Sequence, residues 1–174
     1  MVESIETSTN KDFAVSLVTP WIKGNMFVSQ DGFLKIKMQN TILFGMIPAG
    51  MTKDSSPLGN VSNVSSNKEF KLGRILLGLL IAIGGLMILS SSPLVGIILA
   101  LIGVGIFGSG IITVFYYERN GIEKKVYLPF FEANHVAEFE EQVLSEISKF
   151  YDDRNVRKHS QENAQSIVNG LNNN

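Results

Sequence analysis

From Ile75 to Tyr117 the chain runs for 43 residues without one charged side chain. Ser90-Ser91-Ser92-Pro93 forms a polar break in its middle. A bilayer core of about 30 Å takes roughly 20 helical residues. The run is therefore too long for one crossing and suits two. Pro93 stops one helix or begins the next, and the serines supply the turn. The expectation is a two-helix transmembrane hairpin, Leu72 to Leu89 and Pro93 to Tyr117.

Orientation follows from the basic residues. Lys68, Lys71 and Arg74 precede the run, Arg119, Lys124 and Lys125 follow it, and the serine turn has none. Positive residues stay on the cytoplasmic side. The expected location is thus the cell membrane, multi-pass with two spans, both termini cytoplasmic. The same six side chains form a basic set at the membrane surface, each contributing about 1 kcal/mol of attraction to anionic lipid. Fixing the topology is the plainer role for them. Residues 1–12 are polar, lack the basic start and apolar core of a signal peptide, and are expected to be disordered.

Within the run, glycines recur every seven residues: Gly78 and Gly85, then Gly96, Gly103 and Gly110. A seven-residue repeat holds one face of a left-handed helix pair in contact. Small residues on that face let two backbones approach closely. These five glycines are assigned to helix packing inside the hairpin. Gly84, Gly105 and Gly108 offer a second face for self-association. Gly103 to Gly108 also spells G-x-G-x-x-G. That pattern needs a strand before it, a helix after it and an acidic residue about 20 residues on; here it lies inside an uncharged membrane segment where a phosphate would face hydrocarbon, so it is not read as a dinucleotide site.

The flanks read differently. Phe13 to Thr19, Asn25 to Gln30, Phe33 to Met38, Thr41 to Ile47 and Val61 to Ser65 have strand character, with Lys53 to Pro57 as a polar loop. Asp31-Gly32 and Asn120-Gly121 are hairpin-turn signals. After the hairpin, Ile111 to Arg119 is β-branched and aromatic, so the second helix is expected to run into a strand. Residues 122–128 alternate as another strand. Val136, Phe139, Val143, Ile147 and Phe150 then mark an amphipathic helix, with Asn134 as its cap. The first flank has strands without a covering helix, and the second has the soluble helix. One split domain is the simplest account. Residues 13–71 form its first part, 72–117 the hairpin, 118–151 its second part, and 152–174 a polar tail expected to be mostly disordered. The fold class is an α+β membrane protein: about seven strands in a small barrel or sandwich, one C-terminal helix, and the hairpin inserted.

That order of strands followed by a closing helix, together with Ile47-Pro-Ala-Gly, Pro57-Leu-Gly-Asn-Val-Ser-Asn-Val, Leu72-Gly-Arg-Ile-Leu-Leu-Gly78 and Ala137-Glu-Phe-x4-Leu144, resembles the bacterial pleckstrin-homology-like family. The resemblance covers roughly residues 13–70 and 111–151. Here the hairpin lies within the domain rather than before it. The resemblance implies binding or assembly, not chemistry.

Nothing else points to a reaction. The chain has no cysteine, which excludes disulfides and thiolate metal sites. A net charge of −1 gives no reason to expect nucleic acid. His135 lies beside Glu132 and Glu138 without a second histidine at ligand spacing, and reads as a surface residue. Trp21 suits either the membrane interface or the core. The sequence thus predicts a non-enzymatic, membrane-anchored scaffold that presents the domain at the cytoplasmic face and self-associates. No cofactor or metal is expected. The partners are the lipid bilayer and either a second copy or another protein. The alternative is a small pore-forming or lysis-type hairpin. Its only polar candidates for a lining are Ser109 and Thr113.

Overall fold

Leu34, Ile36 and Met38 alternate with Lys35 and Lys37, and that alternation buries one face of a strand. In the computed structural model, which describes residues 12–42 and 47–172, this strand is β3 (Phe33–Ile42) of an antiparallel sheet ordered β1-β2-β3-β4. Its partners are β1 (Asp12–Ala14), β2 (Lys23–Ser29) and β4 (Ile47–Pro57). A second antiparallel sheet holds β5 (Val61–Phe70), β6 (Ile111–Arg119) and β7 (Ile122–Pro129). Asn120 and Gly121 both have positive φ, 51° and 80°, as the tight β6–β7 turn requires. At Asp31-Gly32 the loop is one residue longer. Gly32, at φ 74°, returns its N–H to the Ser29 carbonyl at 3.0 Å.

The core draws on both flanks of the apolar run. Phe13, Met26, Leu34, Ile36 and Val61 meet Phe115, Leu128, Val136, Phe139 and Val143 in one cluster. Phe139 makes an edge contact with Phe13 at 5.7 Å and a tilted one with Phe115 at 5.2 Å. A helix, α3 (Ala133–Asn172), thereby joins the two sheets. A 3-10 turn at Phe130–Glu132 leads into it, so Asn134 lies inside the helix rather than capping it. Phe150 reaches the far end of the domain, where its ring lies against Gly32 and Gly59.

Between β5 and β6 the chain forms α1 (Leu72–Ile88) and α2 (Pro93–Gly108). Phe70 pairs with Ile111, and the Lys71 N–H donates to the Gly110 carbonyl at 2.8 Å. The helix pair is thus an elaborated turn of the β5–β6 hairpin. Pro93 takes the first position of α2, where its missing N–H leaves no bond unmade.

The expected transmembrane hairpin over 72–117 is overturned, and with it the two-span cell-membrane location and the membrane component of the fold class. The helices have 17 and 16 residues. At about 1.5 Å per residue each rises roughly 25 Å. Among the described residues no helix is long and apolar enough to cross a membrane. Residues 111–117, credited to the second span, form most of β6, where Ile112, Val114, Phe115 and Tyr117 are buried. The observed class is α+β, with sheets of four and three antiparallel strands and three α-helices among the described residues.

Other expectations also change. Lys53 to Pro57 is not a loop but the second half of β4, in register with residues 33–37. Thr41 and Ile42 close β3 while Ile47 opens β4, so they do not share a strand. The tail from residue 152 continues α3 as far as Asn172, exposed at every position through Ser166. The disorder expected for residues 1–12 concerns residues outside the described ones, except for Asp12, which begins β1.

Candidate functional site

Two surfaces stand out: the helix pair, and the cleft at its base. In the pair, small residues set the distance between backbones. A Cβ placed on Gly103 would lie 2.3 Å from the Ala82 nitrogen, and one on Gly78 the same distance from the Phe107 nitrogen. On Gly85 it would meet the Ala100 nitrogen at 2.5 Å, and on Gly96 the Gly85 carbonyl oxygen at 2.8 Å. Gly110 lies past the end of α2 and faces Ile75. All five repeat glycines therefore face inward, against the other helix or its first turn. Of the other three, Gly84 and Gly105 face open space, while Gly108 abuts Leu17 from the β1–β2 connection.

With glycine and alanine in the contact, the large side chains point outward. Leu80 is 70% exposed, Met87 75%, Leu94 71% and Leu101 66%. A helix that is apolar all round is normally covered by something.

The basic residues at the base divide. Arg119 bonds inward: its guanidinium meets Asp54 of β4 at 2.6 Å, and the other Asp54 oxygen accepts from the Tyr117 hydroxyl at 2.7 Å. This group ties the two sheets together. Burial, and then the hydrogen bond to Asp54, push the Tyr117 phenol well above its ordinary value of 10.0. Lys125 pairs with Glu123 at 2.9 Å, which raises the pKa of its ammonium. The Lys71 ammonium lies over the Tyr127 ring at 4.7 Å. An Arg74 nitrogen reaches the Ser109 carbonyl at 3.5 Å. Lys68 is exposed on β5. Lys71, Arg74, Lys124 and Lys125 line a cleft of about 610 Å³ together with Ile36, Met38, Ile112 and Leu128, but Lys124 and Leu128 lie on one face of β7 while Lys125 and Tyr127, under the Lys71 ammonium, lie on the other.

His135 is half-buried rather than fully exposed. It stacks on Phe13 at 3.9 Å and meets Glu132 at 2.9 Å. The second Glu132 oxygen accepts the Ala14 N–H at 2.7 Å, pinning β1 to the start of α3. These contacts are structural. Among the described residues no group of His, Cys, Asp or Glu has the grouping to hold a metal ion. Trp21 is 73% exposed, which removes it from the core. Thr113 lies in β6, not in a helix. Its buried hydroxyl has no hydrogen-bond partner among the described residues.

Asp54 and the cleft carry no sequence signature. With Lys53 to Pro57 read as a loop, nothing placed Asp54 opposite Tyr117. No protein-family model matches this chain, and neither a curated protein nor a solved structure matches it.

Proposed function

We propose that this protein is a non-enzymatic binding module that seats its two-sheet domain on a lipid surface. The apolar helix pair dips end-on into the acyl region without crossing it, and the cations at its base meet anionic headgroups. The observation that carries this reading is the outward apolar surface of α1 and α2, bounded at one end by Lys68, Lys71 and Arg74. Hydrocarbon covers an all-round apolar surface at no cost in specific contacts, and nearby Lys and Arg add attraction to anionic lipid. At roughly 25 Å the pair is shorter than the hydrocarbon thickness, which suits insertion rather than passage. The resemblance to bacterial pleckstrin-homology-like proteins supports binding over catalysis. The pore alternative is not favoured, because one of its two polar candidates, Thr113, belongs to a strand.

Flotation of the full chain with vesicles tests this. The protein is expected to float with phosphatidylcholine vesicles, and more completely when phosphatidylglycerol is added. Leu80→Asp combined with Leu101→Asp places two carboxylates in the acyl region, at about 2.5–3.5 kcal/mol each, and should abolish flotation. A wild-type chain that stays at the bottom of the gradient as a defined oligomer would overturn the reading and assign the apolar surface to a second copy.

A further inference from the structure

The exposed aromatic side chains are unevenly distributed. Among the described residues they are Trp21, Phe70, Phe107, Tyr127, Phe130 and Phe131, with Phe150 and Tyr151 at the opposite end of the domain. The first six gather at the base of the helix pair and reach it from separate elements. Phe70 ends β5 opposite Ile111, directly before α1. Phe107 stands in the last turn of α2. The Phe130 ring lies against Gly108, where α2 ends, and meets Phe131 edge-on at 5.8 Å. Leu17, from the connection between β1 and β2, abuts the same glycine. The Val15 N–H bonds the Ile22 carbonyl at 3.1 Å, so residues 16–21 form a short tip that Trp21 shares with Leu17. Tyr127 lies under the ammonium of Lys71, the residue before α1.

These positions make a ring rather than a patch. Tyr127 shares a sheet face with Ile112 and Val114, whereas Phe70, opposite Ile111, stands on the other face. Trp21 comes from the four-stranded sheet. The carboxylates next to the ring in sequence are engaged: Glu69 accepts from the Tyr116 hydroxyl, and Glu132 from the Ala14 N–H. Lys71 and Arg74 add positive charge at the same end of α1. Trp and Tyr concentrate where hydrocarbon meets headgroups, because an apolar ring with a polar N–H or O–H suits that boundary. The ring stands at such a boundary, with apolar helices on one side and the polar domain on the other.

We propose that these side chains form a collar at the headgroup level of an anionic bilayer and fix the depth to which the helix pair inserts. The proposal rests on the lipid-surface reading and adds a second contact surface, on the domain itself.

Trp21 is the single tryptophan of the chain, so its fluorescence reports the collar alone. The full chain is mixed with phosphatidylcholine and phosphatidylglycerol vesicles that carry bromine either near the headgroups or near the bilayer centre. Trp21 emission should move to the blue and be quenched more by the shallow bromines than by the deep ones. Two relocated reporters are placed in a Trp21→Phe chain. Leu101→Trp stands about 10 Å beyond the base and should be quenched most by the deep bromines. Tyr151→Trp, at the opposite end of the domain, should not be quenched. Trp21→Ser with Phe131→Ser removes two exposed rings outside the core and should weaken vesicle partitioning at least about tenfold at an unchanged melting temperature. Trp21→Tyr should keep most of the binding. An unquenched Trp21 beside a quenched Leu101→Trp would overturn the collar and leave the lipid-surface reading standing. Quenching of neither would overturn both. Shallow quenching of Trp21 with none of Leu101→Trp would uphold contact by the collar and sink insertion of the helix pair. A blue shift that follows protein concentration without lipid would assign the ring to a second copy, against the proposal.

Discussion

Replacing Gly103 with alanine is the sharpest test of how the helix pair is held. The new Cβ would sit 2.3 Å from the Ala82 nitrogen and 2.6 Å from its Cα. Comfortable contact between such atoms is about 3.5–4.0 Å, so the backbones must part by about 1 Å. No side-chain rotation relieves this, because the obstacle is main chain. Overpacking of a well-filled contact costs about 1–3 kcal/mol. Alanine also improves helix propensity by about 1 kcal/mol over glycine, which confuses the single variant. Gly105→Ala supplies the control. It lies two residues along the same helix, and its Cβ would meet nothing within 4 Å. The propensity gain is common to both, so their difference isolates the close approach. At about 2–4 °C per kcal/mol for a chain of this size, Gly103→Ala should melt roughly 2–12 °C below Gly105→Ala. Thermal unfolding followed by circular dichroism in a mild non-ionic detergent measures it, with hydrogen exchange across α1 and α2 locating the change. Equal melting temperatures, or a higher one for Gly103→Ala, would refute the packing argument.

Phe139→Ala removes the ring that contacts both Phe13 and Phe115 and should cost about 3–5 kcal/mol; amide exchange in β3 and β6 should rise together, and unchanged β3 protection would argue against a shared core. Thr113→Val replaces a buried hydroxyl that lacks a hydrogen-bond partner among the described residues and should stabilise the fold by about 1–3 kcal/mol in chemical denaturation, whereas a loss would reveal a bond the hydroxyl makes. Because the Tyr117 phenol is held above its ordinary value, the folded chain keeps that proton at pH values where the unfolded chain sheds it; stability from this group is complete below about pH 10 and declines above it, and Tyr117→Phe should flatten that alkaline decline while losing the bond to Asp54. Ending the chain after Tyr151 removes a helical segment exposed from Asp152 through Ser166 and should leave the melting temperature of the domain within about 2 °C, since surface changes away from special contacts shift stability by about 0.5 kcal/mol or less.

Local chemistry decided several elements before any tertiary contact. Asn120-Gly121 accepts positive φ at both turn positions, which few other pairs do. Alternation at residues 34–38 marks a strand with one wet face, and Pro93 after three serines breaks the apolar run into two helices. The seven-residue spacing of glycines places them on one helix face, since spacing alone determines which residues share a face. Where the second helix ends was not legible. Ile111 to Tyr117 is almost wholly apolar, and as a strand it is covered on both faces, Ile112 and Val114 on one and Phe115 and Tyr117 on the other, and a strand buried on both faces has no period to tell it from a helix. That ambiguity lengthened the apparent span. The second half of β4 hid for the opposite reason: as the edge strand of its sheet it carries Lys53, Asp54, Ser55 and Ser56, and only pairing with residues 34–37 makes it a strand. Asp54 is therefore invisible as a partner of Tyr117 and Arg119 until two sheets face each other. The same holds for the cleft, whose lining comes from strands and a helix brought together from across the chain. Turns, helix breaks and faces are set by neighbours within a few residues and can be read along the sequence. Pairing between sheets joins residues more than sixty positions apart, and it exists only once the chain has folded.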